Sequence, residues 1–158
     1  MLYTDDDVIV YADCYNAVGR SMKSAISACD SIAVSGKRIA VLGDIAELGN
    51  ITEEVHREVM DAVSNSKFDC MLTIGEEMRK ASVHLGKEGS LSVKNFDNLD
   101  DLSSEIKSVA KPGDLILFKA SHASHLEKCI LQVWPQFEAE FKYYSRVFAE
   151  WKNETLKC

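Results

Sequence analysis

The residues of this chain that could do chemistry gather in three clusters, each directly after a short apolar run. The first is Asp13-Cys14-Tyr15-Asn16-Ala17-Val18-Gly19-Arg20-Ser21-Met22. An aspartate and an asparagine just beyond a strand can accept hydrogen bonds from ribose hydroxyls or order a metal-bound water. Ser21 can cap the helix that follows, or the free N–H groups there can face an anion. The same residues also read as nothing more than a turn and a cap. The second cluster is Gly43-Asp44-Ile45-Ala46-Glu47-Leu48-Gly49. Two carboxylates flanked by glycines make a tightly shaped loop that could receive a cation-bearing group or hydrogen-bond its own backbone. His56 lies one helix beyond and could face this loop, although a lone surface histidine is more often inert. The third is Lys119-Ala120-Ser121-His122, where the lysine puts a mobile ammonium at a strand end, suited to a phosphate or a carboxylate. His122 and His125 are three apart, but two histidines without a third ligand are a weak metal signal, and no metal site is expected.

The elements that must hold these clusters follow from periodicity. Apolar runs at Val8–Ala12, Arg38–Leu42, Cys70–Ile74 and Leu115–Phe118 read as strands, with a weaker one at Leu91–Phe96. Between them, apolar residues recur at helical spacing. Ser21–Val34 places Met22, Ala25, Ile26, Cys29 and Ala33 on one face. Thr52 can cap the next helix, with Glu53 and Glu54 in the first turn where the dipole favours negative charge. That helix would bury Val55, Val59 and Ala62 or Val63. Further helices are predicted over Glu76–Leu85, Leu99–Val109 and His125–Trp134, and Lys111-Pro112-Gly113-Asp114 is a turn. Repeated strand–helix alternation, with strands apolar on both sides, predicts a doubly wound α/β domain. It should have a mostly parallel sheet of five or six strands, helices on both faces, and ligands at the carboxyl ends of the strands.

At 158 residues and 17.6 kDa the chain is about one domain long. Apolar residues make up 46% and charged residues 27%, the mix of a globular protein and not of a disordered one. The net charge of −7 offers no basic field for a phosphate backbone, so nucleic-acid binding is not expected. No apolar run approaches the ~20 residues of a membrane span, and the acidic MLYTDDD start is unlike a signal peptide. Five cysteines without paired spacing read as reduced thiols of a cytoplasmic protein, mostly core filler, with Cys14 set apart by its place in the first cluster. From Pro135 the composition shifts. Phe137, Phe141, Tyr144, Phe148 and Trp151 recur at steps of four and three, and would either pack back on the domain or dock on another subunit or domain. We therefore divide the chain into a domain over 1–134 and a C-terminal amphipathic helical extension over 135–158.

Neither G-x-x-x-x-G-K-[ST] nor G-x-G-x-x-G occurs, so the chain has no phosphate cradle of its own. A phosphoacceptor receiver domain would need a carboxylate after the third strand, where Thr73-Ile74-Gly75 stands instead.

Taken together, Asp13-Cys-Tyr-Asn-Ala17 with Ser21-Met22, Val41-Leu-Gly-Asp-Ile-Ala-Glu-Leu-Gly49 with His56, and Leu117-Phe-Lys-Ala-Ser121 resemble the C-terminal domain of Mur ligases. The resemblance is to the MurF type, the UDP-N-acetylmuramoyl-tripeptide:D-alanyl-D-alanine ligases of peptidoglycan synthesis, and covers roughly residues 8 to 133. It implies a Rossmann-like lid of a three-domain bacterial enzyme. The N-terminal domain of such an enzyme holds the UDP-sugar, and the central domain carries the phosphate loop, the Mg²⁺ ligands and most of the ATP site. In the family reaction ATP phosphorylates the peptide carboxylate, the amine of D-alanyl-D-alanine attacks the acyl-phosphate, and phosphate leaves.

Carried over, the resemblance implies that Asp13, Tyr15, Asn16 and Lys119 face the nucleotide. Lys119 and Ser121 would sit near the phosphates or the incoming dipeptide. Gly43, Asp44, Glu47 and Gly49 would shape the adjacent loop, with Asp44 or Glu47 meeting the dipeptide's ammonium. Ser21 and His122 complete the candidate set. The chain alone, lacking the phosphate loop, is expected to be catalytically silent. Two departures stand out: Val18-Gly19-Arg20 replaces the family's Asn-Pro, and Lys119-Ala-Ser-His122 replaces its K-G-S-R. Losing that arginine removes a permanent bidentate donor. The competing readings are a free-standing nucleotide- or peptide-binding or regulatory module of the same fold, and the C-terminal domain of another Mur or folylpolyglutamate-type ligase.

Overall fold

The computed structural model describes residues 1–83, 85 and 91–143. Six strands form one sheet: β1 (Leu2–Tyr3), β2 (Ile9–Asp13), β3 (Arg38–Gly43), β4 (Cys70–Ile74), β5 (Ser92–Phe96) and β6 (Leu115–Lys119). Their spatial order is β1-β2-β6-β3-β4-β5. All neighbours pair in parallel except β1, which runs antiparallel to β2. The helices are α1 (Gly19–Ser31), α2 (Thr52–Ser64), α3 (Glu76–Ser82), α4 (Leu99–Val109) and α5 (Leu126–Val133).

The sheet is doubly wound, as the alternation predicts. Successive residues of a strand face opposite sides, and the central strands are apolar on both. Ala40, Leu42, Met71, Leu115 and Leu117 meet Met22, Ile26 and Cys29 of α1, Val59, Met60 and Val63 of α2, and Met78 of α3. On the other side Ile39, Val41, Leu72, Ile116 and Phe118 meet Leu102 and Ile106 of α4, and Leu126, Cys129 and Ile130 of α5. The chain thus leaves β2 and β3 toward one face and leaves β6, which lies between them, toward the other. The carboxyl ends of β2, β6 and β3 form the point where the winding reverses, the place where open α/β sheets take their ligands.

Several local expectations change. The edge strand β1 was not foreseen, because two residues carry no period. Ala33 lies beyond the end of α1 and is exposed. Thr52 does not cap α2; it is the first helical residue, and its hydroxyl donates to the Gly49 carbonyl (2.8 Å). The buried stripe of α2 is His56, Val59, Met60 and Val63, with Val55 only half-buried. The shorter α3 stops at Ser82, short of Leu85. Beyond Trp134, residues 135–137 make a 3-10 turn and 138–143 are helical. Phe137 is buried with Trp134 in the second core, Phe141 packs against it, and Trp134 meets Phe118 edge-on at 6.3 Å. The first two aromatics of the extension therefore pack back on the domain. Tyr144, Phe148 and Trp151 lie outside the described residues.

Candidate functional site

The in-register pairing of β2 with β6 sets Asp13 beside Lys119, and β3 sets Leu42 on the other side of the same lysine. Lys119 follows Leu115 and Leu117 on the α1 face, and its side chain is wholly buried. A lysine is almost never fully buried unless paired. Here the ammonium lies 2.7 Å from Asp13 Oδ2 and donates to the Asn16 carbonyl at 2.8 Å. The expectation of a mobile ammonium at the edge is therefore corrected: Lys119 is tethered inside the rim and ties the loop after β2 to the end of β6. Asp13 is 39% exposed, Tyr15 half-buried and Asn16 exposed.

The loop after β3 is held just as closely. The Ser121 N–H donates to the Asp44 carbonyl (3.2 Å), and the Ser121 hydroxyl oxygen accepts from the Ala46 N–H (2.8 Å). His56, buried and not on the surface, accepts the Ile45 N–H at Nε2 (3.0 Å), while its Nδ1 lies 2.7 Å from the Thr52 carbonyl. A backbone N–H can only donate and a carbonyl only accept, so the ring proton sits on Nδ1. The signal for this was present in the sequence: residues 56, 59, 60 and 63 share one helical stripe.

Asp44 is half-buried, and its carboxylate is engaged by backbone. Its oxygens accept from the Met78 N–H (2.8 Å) and the Glu77 N–H (3.3 Å), so it caps α3 across a separation no local motif reveals. Gly75 makes this possible: at φ 113° it adopts a conformation L residues avoid, and a Cβ there would fall 2.3 Å from the Asp44 carboxyl carbon. Glu47, by contrast, is exposed and holds a left-handed φ of 62°, costly for a non-glycine residue. Gly49 is also left-handed, and Gly43 is packed so that a Cβ would come within 2.8 Å of Ala120 and Ser124. Ser21 is tied to its own helix start: its hydroxyl accepts from the Val18 N–H (3.1 Å) and donates to the Val18 carbonyl (3.0 Å), closing the start of α1.

His122 is exposed beside Tyr15, with ring centroids 5.6 Å apart, and meets His125 edge-on at 5.5 Å. His125, itself left-handed, places Nδ1 3.2 Å from Glu127 Oε1. Among the described residues, no three His, Cys, Asp or Glu side chains come together as a metal site. Cys14 is buried and its Sγ reaches the Phe118 carbonyl at 3.7 Å. Burial, aided by the negative charges of Glu127 and Asp13, pushes its thiol far above the ordinary range and favours the protonated form.

Asp13, Asn16, Lys119 and Ser121 thus converge with the 44–49 loop at the winding reversal, leaving Tyr15, Asn16, Glu47 and His122 on the outside of one rim. Residues 1–122 match the family described as Mur ligase, glutamate ligase domain. The chain belongs to this family.

Among curated relatives, the UDP-N-acetylmuramoyl-tripeptide–D-alanyl-D-alanine ligase of Bacillus subtilis is 36% identical over 134 residues, 82% of this chain and 29% of the relative. The Treponema pallidum enzyme of the same name is 32% identical over 73% of this chain and 25% of the relative. This Mur ligase C-terminal domain therefore spans under a third of the relatives it matches. Among solved structures, MurF ligase from Thermotoga maritima in complex with ADP superposes with a TM-score of 0.68 at 24% identity, over 87% of this chain and 30% of that one. A MurF from Acinetobacter baumannii gives the same TM-score and identity over 80% of this chain and 28% of that one. Among the described residues, no helix is long and apolar enough to cross a membrane.

Proposed function

We propose that the domain acts as the closing lid of an ATP-dependent ligase that joins D-alanyl-D-alanine to UDP-N-acetylmuramoyl-tripeptide, in a cytoplasmic, three-domain bacterial enzyme. One observation carries this reading. The groups left on the rim are a few exposed polar side chains held by a buried frame, and in this reading they form half of a pocket whose other wall comes from another domain. The donor set fits a secondary role toward ATP. The loop after β2 has no glycine-rich N–H cradle, so it suits contacts of Asn16 and Tyr15 to the sugar or base, not to the phosphates. ATP and Mg²⁺ would be held mainly by the central domain, where ATP supplies the phosphoryl group that activates the carboxylate.

Within this reading the chain's own residues bind, orient and exclude water. Lys119 acts through others, holding Asp13 and the Asn16 carbonyl in place. Asp44 stabilises the loop from within, which leaves Glu47 as the carboxylate that meets the ammonium end of the dipeptide. His122 faces the cleft beside Tyr15. Closure over the cleft dries the site and strengthens each of these contacts.

The test is a chimera in which this chain replaces the matching segment of the Bacillus subtilis relative. Phosphate release that depends on D-alanyl-D-alanine supports the reading, as does the absence of ATP hydrolysis by the isolated chain. A chimera without such activity, or steady hydrolysis by the chain alone, overturns it.

A further inference from the structure

The loop after β3 carries a non-glycine residue in a left-handed conformation on an exposed rim, and nothing about Glu47's own contacts explains why it stays there. The explanation lies in the three residues before it. Asp44 is held at its carbonyl by the Ser121 N–H, Ile45 at its N–H by His56 Nε2, and Ala46 at its N–H by the Ser121 hydroxyl oxygen. Three consecutive residues are thus fixed from two different elements before the chain reaches Glu47 at φ 62°. The Ser121 anchors come from the loop just after β6. The His56 anchor comes from inside α2, and its other nitrogen is spent on the Thr52 carbonyl, one turn back on the same helix. A buried imidazole bonded at both nitrogens has one tautomer and one orientation. It therefore fixes the distance between the first turn of α2 and the backbone of Ile45.

We propose that His56 is a positioning residue: a doubly bonded, Nδ1-protonated imidazole that sets the loop so that Glu47 projects its carboxylate from the rim toward the incoming amine. This rests on the proposed function for the identity of the amine, but the clamp itself does not. The acceptor at Nε2 is the essential group. A glutamine at 56 can place its amide oxygen where Nε2 lies, whereas an asparagine is too short to reach Ile45.

The experiment has two arms. In the isolated chain, hydrogen exchange of the Ile45 and Ala46 amides is followed by NMR in the wild type, His56→Gln and His56→Asn. The Ile45 amide is expected to exchange at least tenfold faster in H56N and near the wild-type rate in H56Q, with amides of β3 and β4 unchanged in both. Equal Ile45 protection in H56N and wild type overturns the clamp. Uniform loss across β3 and β4 also overturns it, since it shows a packing role alone.

In the chimera, KM for D-alanyl-D-alanine and kcat are measured for H56N, Glu47→Gln and the double variant. The KM is expected to rise about tenfold in each single variant with kcat within threefold, and the double variant should be no worse than E47Q alone. Additive losses, or losses in kcat with KM unchanged, overturn action through Glu47. If E47Q leaves KM unchanged while H56N still frees the Ile45 amide, the amine contact assigned under the proposed function fails and the clamp stands.

Discussion

The Asp13–Lys119 pair makes an asymmetric prediction. The lysine side chain is wholly buried and the aspartate is 39% exposed, with 2.7 Å between them. Removing one partner of a fully buried pair costs ~3–5 kcal/mol, because a charge is left without compensation in a poor solvent. Asp13→Ala strands the buried ammonium with only the Asn16 carbonyl. Since Asp13 itself is partly solvated, the pair was already screened, and about 2–3 kcal/mol is the appropriate figure. Lys119→Met removes the other end and keeps a stem of similar volume. The aspartate left behind rehydrates, and replacing a buried charge by an apolar group of like size is often nearly neutral, so the cost should stay below about 1 kcal/mol. The double variant should match K119M, because the penalty in D13A is that of the orphaned ammonium. In urea unfolding, with a slope of about 2 kcal/mol/M, D13A should lower the midpoint by roughly 1–1.5 M and K119M by under about 0.5 M. Should K119M prove the more destabilising, or the double variant fall well below K119M, the account of burial and partnership given for this lysine is wrong.

Other consequences are as direct. Gly75→Ala forces a left-handed alanine and drives a methyl into the Asp44 carboxyl, breaking the cap of α3; roughly 3 kcal/mol is expected, a fall in Tm of about 6–12 °C by calorimetry. Glu47→Gly relieves a strained φ at the expense of extra freedom in the unfolded chain, so Tm should be unchanged or up to about 3 °C higher while the chimera's KM for the dipeptide rises. Burial pushes the Cys29 thiol from 9.0 to about 12 and the Cys129 thiol to about 11. These folded thiols keep their protons after the unfolded ones ionise, so stability that is full below pH 9 should decline between pH 9 and 12. At pH 8 neither should react with iodoacetamide unless the chain is unfolded.

The winding of the sheet was legible because its central parallel strands, β2, β3, β4 and β6, are short apolar runs flanked by polar or glycine residues, the edge strand β5 being the weak one, and the helices between them carry a clear period. What the sequence could not show was which strand lies between which. Placing β6 between β2 and β3 depends on side-chain packing across the whole chain, and it is this insertion that buries Lys119. The same limit hid the role of Asp44. Its partners, the N–H groups of Glu77 and Met78, are more than thirty residues away, and no local pattern distinguishes a distant helix cap from a ligand-binding carboxylate. Thr52 falls one residue past the cap because a 3-10 turn, Gly49–Ile51, already occupies the capping position. His56 is the instructive case, since its position on the buried stripe of α2 was readable, but its hydrogen-bond partners were not.

The position of β6 has a consequence for how this domain is made. Asp13 and Asn16 emerge from a ribosome more than a hundred residues before Lys119, and Ala46 emerges seventy-five before Ser121. Until that final strand slides in as a keystone, β2 and β3 have no wall in common, and the loops above them have nothing to grip. Such distant contacts form slowly. The rim should therefore be the last part of the fold to mature, and a nascent chain halted before residue 115 would own every helix on one side of the sheet and no rim at all.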